Sequence, residues 1–266
     1  MQASFTASHR AGSGEPLVCI HGFTDTWRTW ELVLPALERR HDVLAVTLAG
    51  HAGGPPLADR PDAATLADAL ERAMDDAGFE RAHIVGNSLG GYVALQLAAR
   101  GRARSLVALA PAGGWAEGDQ SYRPTLEHFI DTQRLAKAAV PYVDQIVATP
   151  EGRRTATQFI ATNYEHIPAE LIAHQMLGVA NCQALAPLIE LALREGWSVD
   201  TQRIECPARV VWGTADRLLP WPAASARFRE ELARADWIEL EGVGHCPQLD
   251  VPARAAELIL GLTASC

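Results

Sequence analysis

The stretch Ile84-Val85-Gly86-Asn87-Ser88-Leu89-Gly90-Gly91 decides how this chain folds. The apolar run 82–85 that leads into it is typical of a buried strand, and apolar residues at helical spacing follow from Val93. A serine in a sharp turn between a strand and a helix is placed to act as a nucleophile, because the turn lifts its hydroxyl above the sheet edge. The glycines allow neighbouring main chains to approach a strained serine closely. A Gly-rich turn whose serine only caps the helix is the alternative interpretation.

Composition limits the classes of protein to consider. With 266 residues, the chain can bury a large core as one large domain or as a domain with a sizeable insertion. The content of 48% apolar and 21% charged residues is typical of a soluble globular protein. A net charge of -9 argues against nucleic acid, whose binding requires a basic surface.

No membrane segment is expected, because no apolar run approaches the roughly 20 residues that cross a bilayer. The first residues lack the basic and apolar regions of a signal peptide. The five cysteines are dispersed, odd in number and without the pairing of metal sites, so we expect reduced thiols and a cytoplasmic protein.

Strand-like and helix-like segments alternate along most of the chain. The apolar runs typical of strands are 17–20, 43–48, 82–85, 105–110, 208–212 and 237–240. Helical patterns occupy the segment from Thr24 to Leu37 and the segments 62–77, 222–234 and 252–262. This alternation predicts an α/β fold with a mostly parallel central sheet that helices cover on both faces.

The alternation of strand-like and helix-like segments stops between about 113 and 199, where no buried strand is recognisable. Prolines divide this block into helix-like segments, and aromatic residues are frequent in it. We therefore predict one α/β core domain, formed by residues 1–112 and 200–266, and a helical cap insertion over 113–199.

A serine hydroxyl needs a neighbouring base, and histidine is the side chain suited to that role at neutral pH. His245 stands in Gly242-Val243-Gly244-His245-Cys246-Pro247, directly after the predicted strand 237–240. A residue at the carboxyl end of a strand faces the crevice where α/β proteins bind ligands. A histidine of an ordinary surface loop is the alternative.

Asp216 is the candidate for the carboxylate that orients the imidazole and stabilises its charged form. It follows the strand 208–212, whereas the strand 105–110 is followed by no carboxylate until Glu117. A turn aspartate that caps its own backbone is the alternative. The order serine, aspartate, histidine, with each residue after a strand, favours a catalytic triad.

These motifs resemble those of the α/β-hydrolase fold family, and the insertion resembles that family's helical cap. The resemblance covers roughly 1–112 and 200–266. It implies Ser88 as nucleophile, His245 as base and Asp216 as acid, without a cofactor or metal. It also implies an oxyanion hole formed by the backbone N–H groups of Phe23 and Leu89. The motifs are His21-Gly22-Phe23, Gly86-Asn87-Ser88-Leu89-Gly90, Gly213-Thr214-Ala215-Asp216 and Gly244-His245.

The chain departs from the family pattern in ways that bear on the reaction. The loop often written Asp-x-Pro-Gly-His-Gly-x-Ser keeps only Gly50-His51, which is a feature of the scaffold. By this resemblance, serine at position 88 excludes haloalkane dehalogenases and most epoxide hydrolases, since those relatives carry aspartate there. The tripeptide Gly86-Asn87-Ser88 is frequent in relatives that cleave C–C bonds of vinylogous diketones, but their glycine-rich loop is absent after His21-Gly22.

The sequence therefore predicts a serine hydrolase that cleaves a carboxylic ester or lactone through an acyl-enzyme on Ser88. The apolar cap, with Arg123, Arg134 and Lys137 as its candidates for binding an anion, favours small, neutral, moderately hydrophobic substrates. A C–C bond hydrolase of the same fold and a receptor-like member with slow turnover are alternatives. A small-molecule substrate is the expected partner, without nucleic acid or membrane, and the oligomeric state stays open.

Overall fold

One sheet of seven strands organises residues 4–265, the part of the chain that the computed structural model describes. In chain order the strands are β1 (Ser8–Gly12), β2 (Glu15–Ile20), β3 (His41–Val46), β4 (Ala82–Asn87), β5 (Ala103–Leu109), β6 (Ala208–Gly213) and β7 (Asp236–Leu240). Their spatial order is β1-β3-β2-β4-β5-β6-β7, and only the pair of β1 with β3 is antiparallel within these residues. The predicted mostly parallel α/β fold is confirmed.

Helices connect most of these strands. Those in the described residues are α1 (Leu34–Leu37), α2 (Thr65–Asp76), α3 (Leu89–Ala99), α4 (Arg123–Ala139), α5 (Val143–Val147), α6 (Pro150–Thr157), α7 (Ala169–Asn181), α8 (Leu185–Glu195), α9 (Ala226–Glu231), α10 (Pro247–Asp250) and α11 (Pro252–Thr263). Short 3₁₀ helices are formed by Trp27–Trp30, Val140–Tyr142, Thr201–Arg203 and Ala223–Ser225.

Both faces of the sheet are buried, which explains why its inner strands are continuous apolar runs. Along β2, Leu17 and Cys19 pack on one face with the side chains of α1 and α11. Val18 and Ile20 pack on the other face with α2 and α3. Successive residues of a strand point to opposite faces, so a strand covered on both sides needs an apolar residue at every position.

The edge strand β1 was not predicted. Its burial alternates between exposed and half-buried positions. Among the described strands it pairs only with β3, from Ser8 opposite Val46 to Gly12 opposite Asp42. A short strand that is half exposed needs few apolar residues, so its sequence carries no run that marks it.

Two predicted helices differ from the structure. The segment from Thr24 to Leu37 forms a 3₁₀ helix and the short α1 rather than one helix, because Thr26 caps a separate first turn through Arg28 N. In the segment 222–234 only α9 is α-helical, since Ser225 N and Oγ both donate to Pro222 O (3.0 and 2.8 Å) and close a 3₁₀ turn before it. A hydroxyl that bonds to the local backbone competes with the helical pattern in this way.

The chain between β5 and β6 contains α4 to α8 and no strand within residues 113–199. Val143, Val147 and Leu171 of this helical block pack with Cys246 and Leu249, which follow β7. The block therefore lies against the loop that carries His245, while the division into core and cap domains stays a prediction. In residues 4–265 no single helix is long and apolar enough to cross a membrane, and α7 and α8 meet that criterion only as a pair bent by 68°.

Candidate active site

Ser88 occupies the sharp turn between β4 and α3. Its backbone has φ 56° and ψ −118°, a conformation that side-chain-bearing residues rarely adopt, and its N–H donates to Leu109 O (2.9 Å). The flanking glycines are required by close backbone contacts. A Cβ at Gly86 would lie 2.1 Å from Gly90 O, and a Cβ at Gly90 would lie 2.3 Å from Ile20 O. This is the strained turn that the sequence predicts, and strain of this kind is common at functional sites.

His245 and Asp216 form a buried pair beyond the carboxyl ends of β7 and β6. His245 Nδ1 lies 2.7 Å from Asp216 Oδ2, and the residues are 2% and 5% exposed. The other carboxylate oxygen accepts from Leu218 N (2.9 Å) and Leu219 N (2.8 Å). Asp216 therefore both caps its own turn and holds the imidazole, so the two interpretations of this residue are compatible. The bond at Nδ1 leaves Nε2 as the free ring nitrogen.

Ser88 and His245 line the same cavity, which has a volume of about 380 Å³. His245 Nε2 is buried and has no hydrogen-bond partner among residues 4–265, so no hydrogen bond joins it to the Ser88 hydroxyl. In serine hydrolase sites this contact often tightens only when the substrate is bound. The strands β4, β6 and β7 thus bring the three predicted triad residues to one edge of the sheet, and their catalytic roles stay predictions.

Phe23 and Leu89, the predicted oxyanion-hole residues, flank Ser88 from two elements. Leu89 is the first residue of α3, where a backbone N–H has no acceptor within the helix. Phe23 follows Gly22, and a Cβ at Gly22 would lie 3.3 Å from Ser88 Cβ, so this turn runs directly beside the serine. No backbone acceptor in the described residues binds either N–H group. Both groups are available to an oxygen near Ser88.

His21 and His51 support the turn that carries Phe23. His21 is fully buried, with Nδ1 2.6 Å from Gly22 O and Nε2 accepting from Leu48 N (2.9 Å). Burial, followed by the neighbouring His51, lowers the pKa of His21 well below its usual value. Burial also lowers the pKa of His51 to about 4. Both rings are therefore neutral parts of the scaffold, as expected for the Gly50-His51 pair.

A second, smaller chamber of about 60 Å³ is also lined by Ser88. Phe23, Ser88, Phe129 and Leu218 line both chambers. No lysine or arginine of the described residues lines either one. Arg123, Arg134 and Lys137 bond instead to neighbours on α4 or just before it. The smaller chamber is otherwise formed mainly by apolar and aromatic residues, which include Leu89, Tyr92, Trp115, Tyr122, Leu188 and Trp197.

Asn87 is a site residue whose contacts the sequence did not reveal. Its Nδ2 donates to His245 O (3.1 Å) and to Leu109 O (3.1 Å). Its Oδ1 accepts from Gln248 Nε2 (3.0 Å) and Cys246 Sγ (3.2 Å). The signal that could have found it is its place directly before the serine, at the end of a central strand.

Asp250 is a second residue that was missed. Its carboxylate accepts from Gly244 N (2.5 Å), Thr162 N (3.0 Å) and Asn163 N (2.7 Å), and the residue is 2% exposed. It thus ties the helical block to the glycine before His245. Nothing in the sequence relates residue 162 to residue 250. Within residues 4–265 no group of three or more His, Cys, Asp or Glu side chains is arranged to hold a metal ion.

A serine after a central strand, with an aspartate and a histidine after later parallel strands of the same sheet, is the arrangement of α/β hydrolases. The sequence model of the Alpha/beta hydrolase family matches residues 17–258. The chain belongs to this family and is a hydrolase. Epoxide hydrolase EphH of Mycobacterium tuberculosis is 33% identical over 204 residues, which are 76% of this chain and 95% of that relative.

Solved structures show the same fold. The enol-lactonase of Burkholderia xenovorans superposes with a TM-score of 0.74 at 17% identity, covering 97% of this chain and 95% of that one. A meta-cleavage product hydrolase of Pseudomonas fluorescens superposes with a TM-score of 0.69 at 21% identity, covering 99% and 97%. At these identities the likeness establishes the fold and leaves the reaction to the site itself.

Proposed function

We propose that this hydrolase cleaves a carboxylic ester or lactone through an acyl-enzyme on Ser88. The observation that carries the proposal is one cavity shared by a strained turn serine and a buried histidine. The histidine's Nδ1 is bound to Asp216 and its Nε2 is free. A nucleophile and a base that is itself oriented by a carboxylate make up the arrangement that activates a serine.

The reaction follows from these positions. His245 Nε2 takes the proton of the Ser88 hydroxyl as the oxygen attacks the carbonyl carbon, and Asp216 stabilises the resulting imidazolium. The carbonyl oxygen becomes an oxyanion within reach of the N–H groups of Phe23 and Leu89. Each such donor contributes a factor on the order of 10²–10³ to the rate. The imidazolium then gives its proton to the leaving alcohol, and water releases the acyl group by the same steps.

Neutral, moderately hydrophobic substrates suit the two chambers. Their lining is mainly apolar and includes no lysine or arginine within the described residues. An anionic substrate would lose its hydration there without gaining a cationic partner. A neutral substrate gains up to ~0.8 kcal/mol for each methylene group that it buries, until the chamber is full.

Epoxide hydrolysis is the second candidate, because the relative from Mycobacterium tuberculosis carries that name. The residue type at position 88 favours ester cleavage instead. A carboxylate that opens an epoxide forms an ester, which water can cleave in the next step. A serine that opens an epoxide would form an ether, which the same machinery cannot hydrolyse.

The test is hydrolysis of p-nitrophenyl esters from acetyl to decanoyl, with a lactone, an aryl epoxide and a vinylogous diketone in the same panel. A fluorophosphonate probe and peptide mass spectrometry identify the nucleophile, and Ser88→Ala is the control. We expect ester turnover and a label on Ser88. The value of kcat/KM should increase with acyl length until the chamber is full and should then stop increasing. Turnover of the epoxide or diketone without ester turnover, or labelling that Ser88→Ala retains, would overturn the proposal.

A further inference from the structure

The larger chamber has a polar corner that the proposed reaction does not use. Asp25, in the turn after β2, and Gln175, on α7, both line this chamber together with Ser88 and His245. Gln175 is 7% exposed. The two residues come from the core and from the helical block, and they meet within the cavity that would receive the substrate.

Hydrogen bonds fix which atoms of the corner remain free. Asp25 Oδ1 accepts from Thr26 N (2.7 Å), and Asp25 Oδ2 accepts from Gln175 Nε2 (2.9 Å). Because Nε2 is the amide's only donor atom and faces the carboxylate, the amide orientation is set. Gln175 Oε1 is then buried without a hydrogen-bond partner in the described residues. A buried acceptor in this state costs stability unless a ligand or water donates to it.

The surroundings offer no cation to this corner from the chamber wall, which within residues 4–265 carries no lysine or arginine. Arg28, two residues beyond Thr26, is paired with Glu31 on its own turn. Burial raises the pKa of Asp25, and hydrogen bonds from Gln175, Thr26 and Thr29 oppose that rise. The corner thus combines a carboxylate with an unpartnered amide oxygen, and no lysine or arginine of the described chamber wall accompanies them.

We propose that Asp25 and Gln175 form a substrate subsite that accepts a hydrogen bond from a hydroxyl group. The substrates it selects are hydroxy-substituted esters or lactones, and in this form the inference rests on the proposed function. A hydroxyl suits the corner better than an ammonium group, because one donor matches the one free acceptor of Gln175. An ammonium brings three donors and a large desolvation cost into a chamber that is otherwise mainly apolar.

The experiment compares esters that end in a hydroxyl group with esters of equal length that end in a methyl group. One series carries the hydroxyl on the acyl part and another on the alcohol part, so that either can occupy the larger chamber. In one of the two series the wild-type protein should favour the hydroxyl ester by about 10-fold in kcat/KM, the factor expected for one hydrogen bond to a buried acceptor.

Gln175→Met keeps the side-chain length and removes the acceptor, so the methyl ester should become the better substrate. Asp25→Asn should reduce the hydroxyl preference. Gln96→Met is the matched control: Gln96 also has an unpartnered Oε1, but it lines the smaller chamber and no carboxylate holds its amide. This variant should keep the preference. Circular dichroism and thermal melting check that each variant folds. If Asp25→Asn does not fold, the result for Gln175→Met alone decides the test.

Calorimetry on Ser88→Ala separates this inference from the proposed function. Amides with the same hydroxyl or methyl ends should bind with the same preference, which Gln175→Met in that background should abolish. Ester turnover without a hydroxyl preference in either series would overturn the subsite and leave the function standing. Binding preference without any ester turnover would support the subsite and overturn the function. Loss of the preference in Gln96→Met and not in Gln175→Met would place the hydroxyl in the other chamber and refute the inference.

Discussion

The side chain of Asn87 donates a hydrogen bond of 3.1 Å to the backbone carbonyl oxygen of His245. The residue before the proposed nucleophile therefore holds the loop that carries the proposed base. The oxygen of the same amide accepts from Cys246 and Gln248, which lie one and three residues after His245. One uncharged amide thus links the end of β4, directly before Ser88, to the loop that carries His245.

Asn87→Ala should lower kcat by about 10- to 100-fold with a small change in KM, because the base loses a positional constraint. It should also lower the free energy of unfolding by about 1–3 kcal/mol, since buried groups lose their partners. Steady-state kinetics and urea denaturation measure the two effects. Asn181→Ala removes an exposed amide that bonds to Leu177 O, and it should change neither quantity. An Asn87→Ala protein with wild-type kcat would show that Asn87 does not position His245.

Asp216→Asn should reduce kcat by about 10³–10⁴-fold, because an amide neither fixes the required tautomer nor stabilises the imidazolium. Oδ1 would still accept from Leu218 and Leu219, so the turn should survive. Glu117→Gln, at an exposed position, and Asp119→Asn, at a half-buried one, are the controls and should have little effect. If one of these controls proves to be the crippling change, the acid has been assigned to the wrong residue.

Ser88→Gly should be more stable than Ser88→Ala. Both variants remove the hydroxyl, but only glycine relieves the strain of φ 56° and ψ −118° at this position. Part of the gain is offset by the greater freedom of glycine in the unfolded chain, so we expect a net difference of about 1 kcal/mol. Equilibrium urea unfolding of the two proteins under identical conditions gives the comparison. Equal stabilities would mean that the turn is not strained, while ester turnover should be lost in both.

The stability of the protein should decrease as the pH falls from about 6.5 towards 4. Burial lowers the pKa of His51 from 6.5 to about 4, and it lowers the pKa of His83 and His174 to about 4 as well. Above pH 6.5 these rings are neutral in the folded and the unfolded chain. Between pH 6.5 and about 4 the unfolded chain binds protons that the folded chain excludes. The free energy of unfolding therefore decreases as the pH is lowered through this range.

The contribution of a single ring can be measured with His51→Gln. This variant should show a shallower fall of the free energy of unfolding between pH 6.5 and 4, as followed by urea midpoints. His9→Gln removes a histidine that is 32% exposed on the edge strand, and it should keep the wild-type slope. A slope in His51→Gln as steep as that of the wild-type protein would mean that protonation of His51 does not oppose folding.

Local patterns were enough to predict the inner strands and the fold class. The runs before Ser88 and Asp216 are mainly apolar, because strands covered on both faces exclude most polar residues. The sequence pattern is a weaker guide to secondary structure where an element is short or half exposed, as at β1 and the 3₁₀ helix before α1. There, hydrogen bonds to a neighbouring strand or a capping threonine decide the conformation, and periodicity leaves little trace of them.

By itself, the sequence determined that Ser88, Asp216 and His245 each follow a strand of one parallel sheet. The carboxyl ends of parallel strands lie at the same edge of the sheet, so local sequence patterns were enough to predict that these three residues lie close together. Only the tertiary structure decided what surrounds them. Asp25 and Gln175 are 150 positions apart and meet because α7 packs over the turn after β2. A contact between remote elements depends on how whole helices and loops pack, and no local spacing along the chain encodes it.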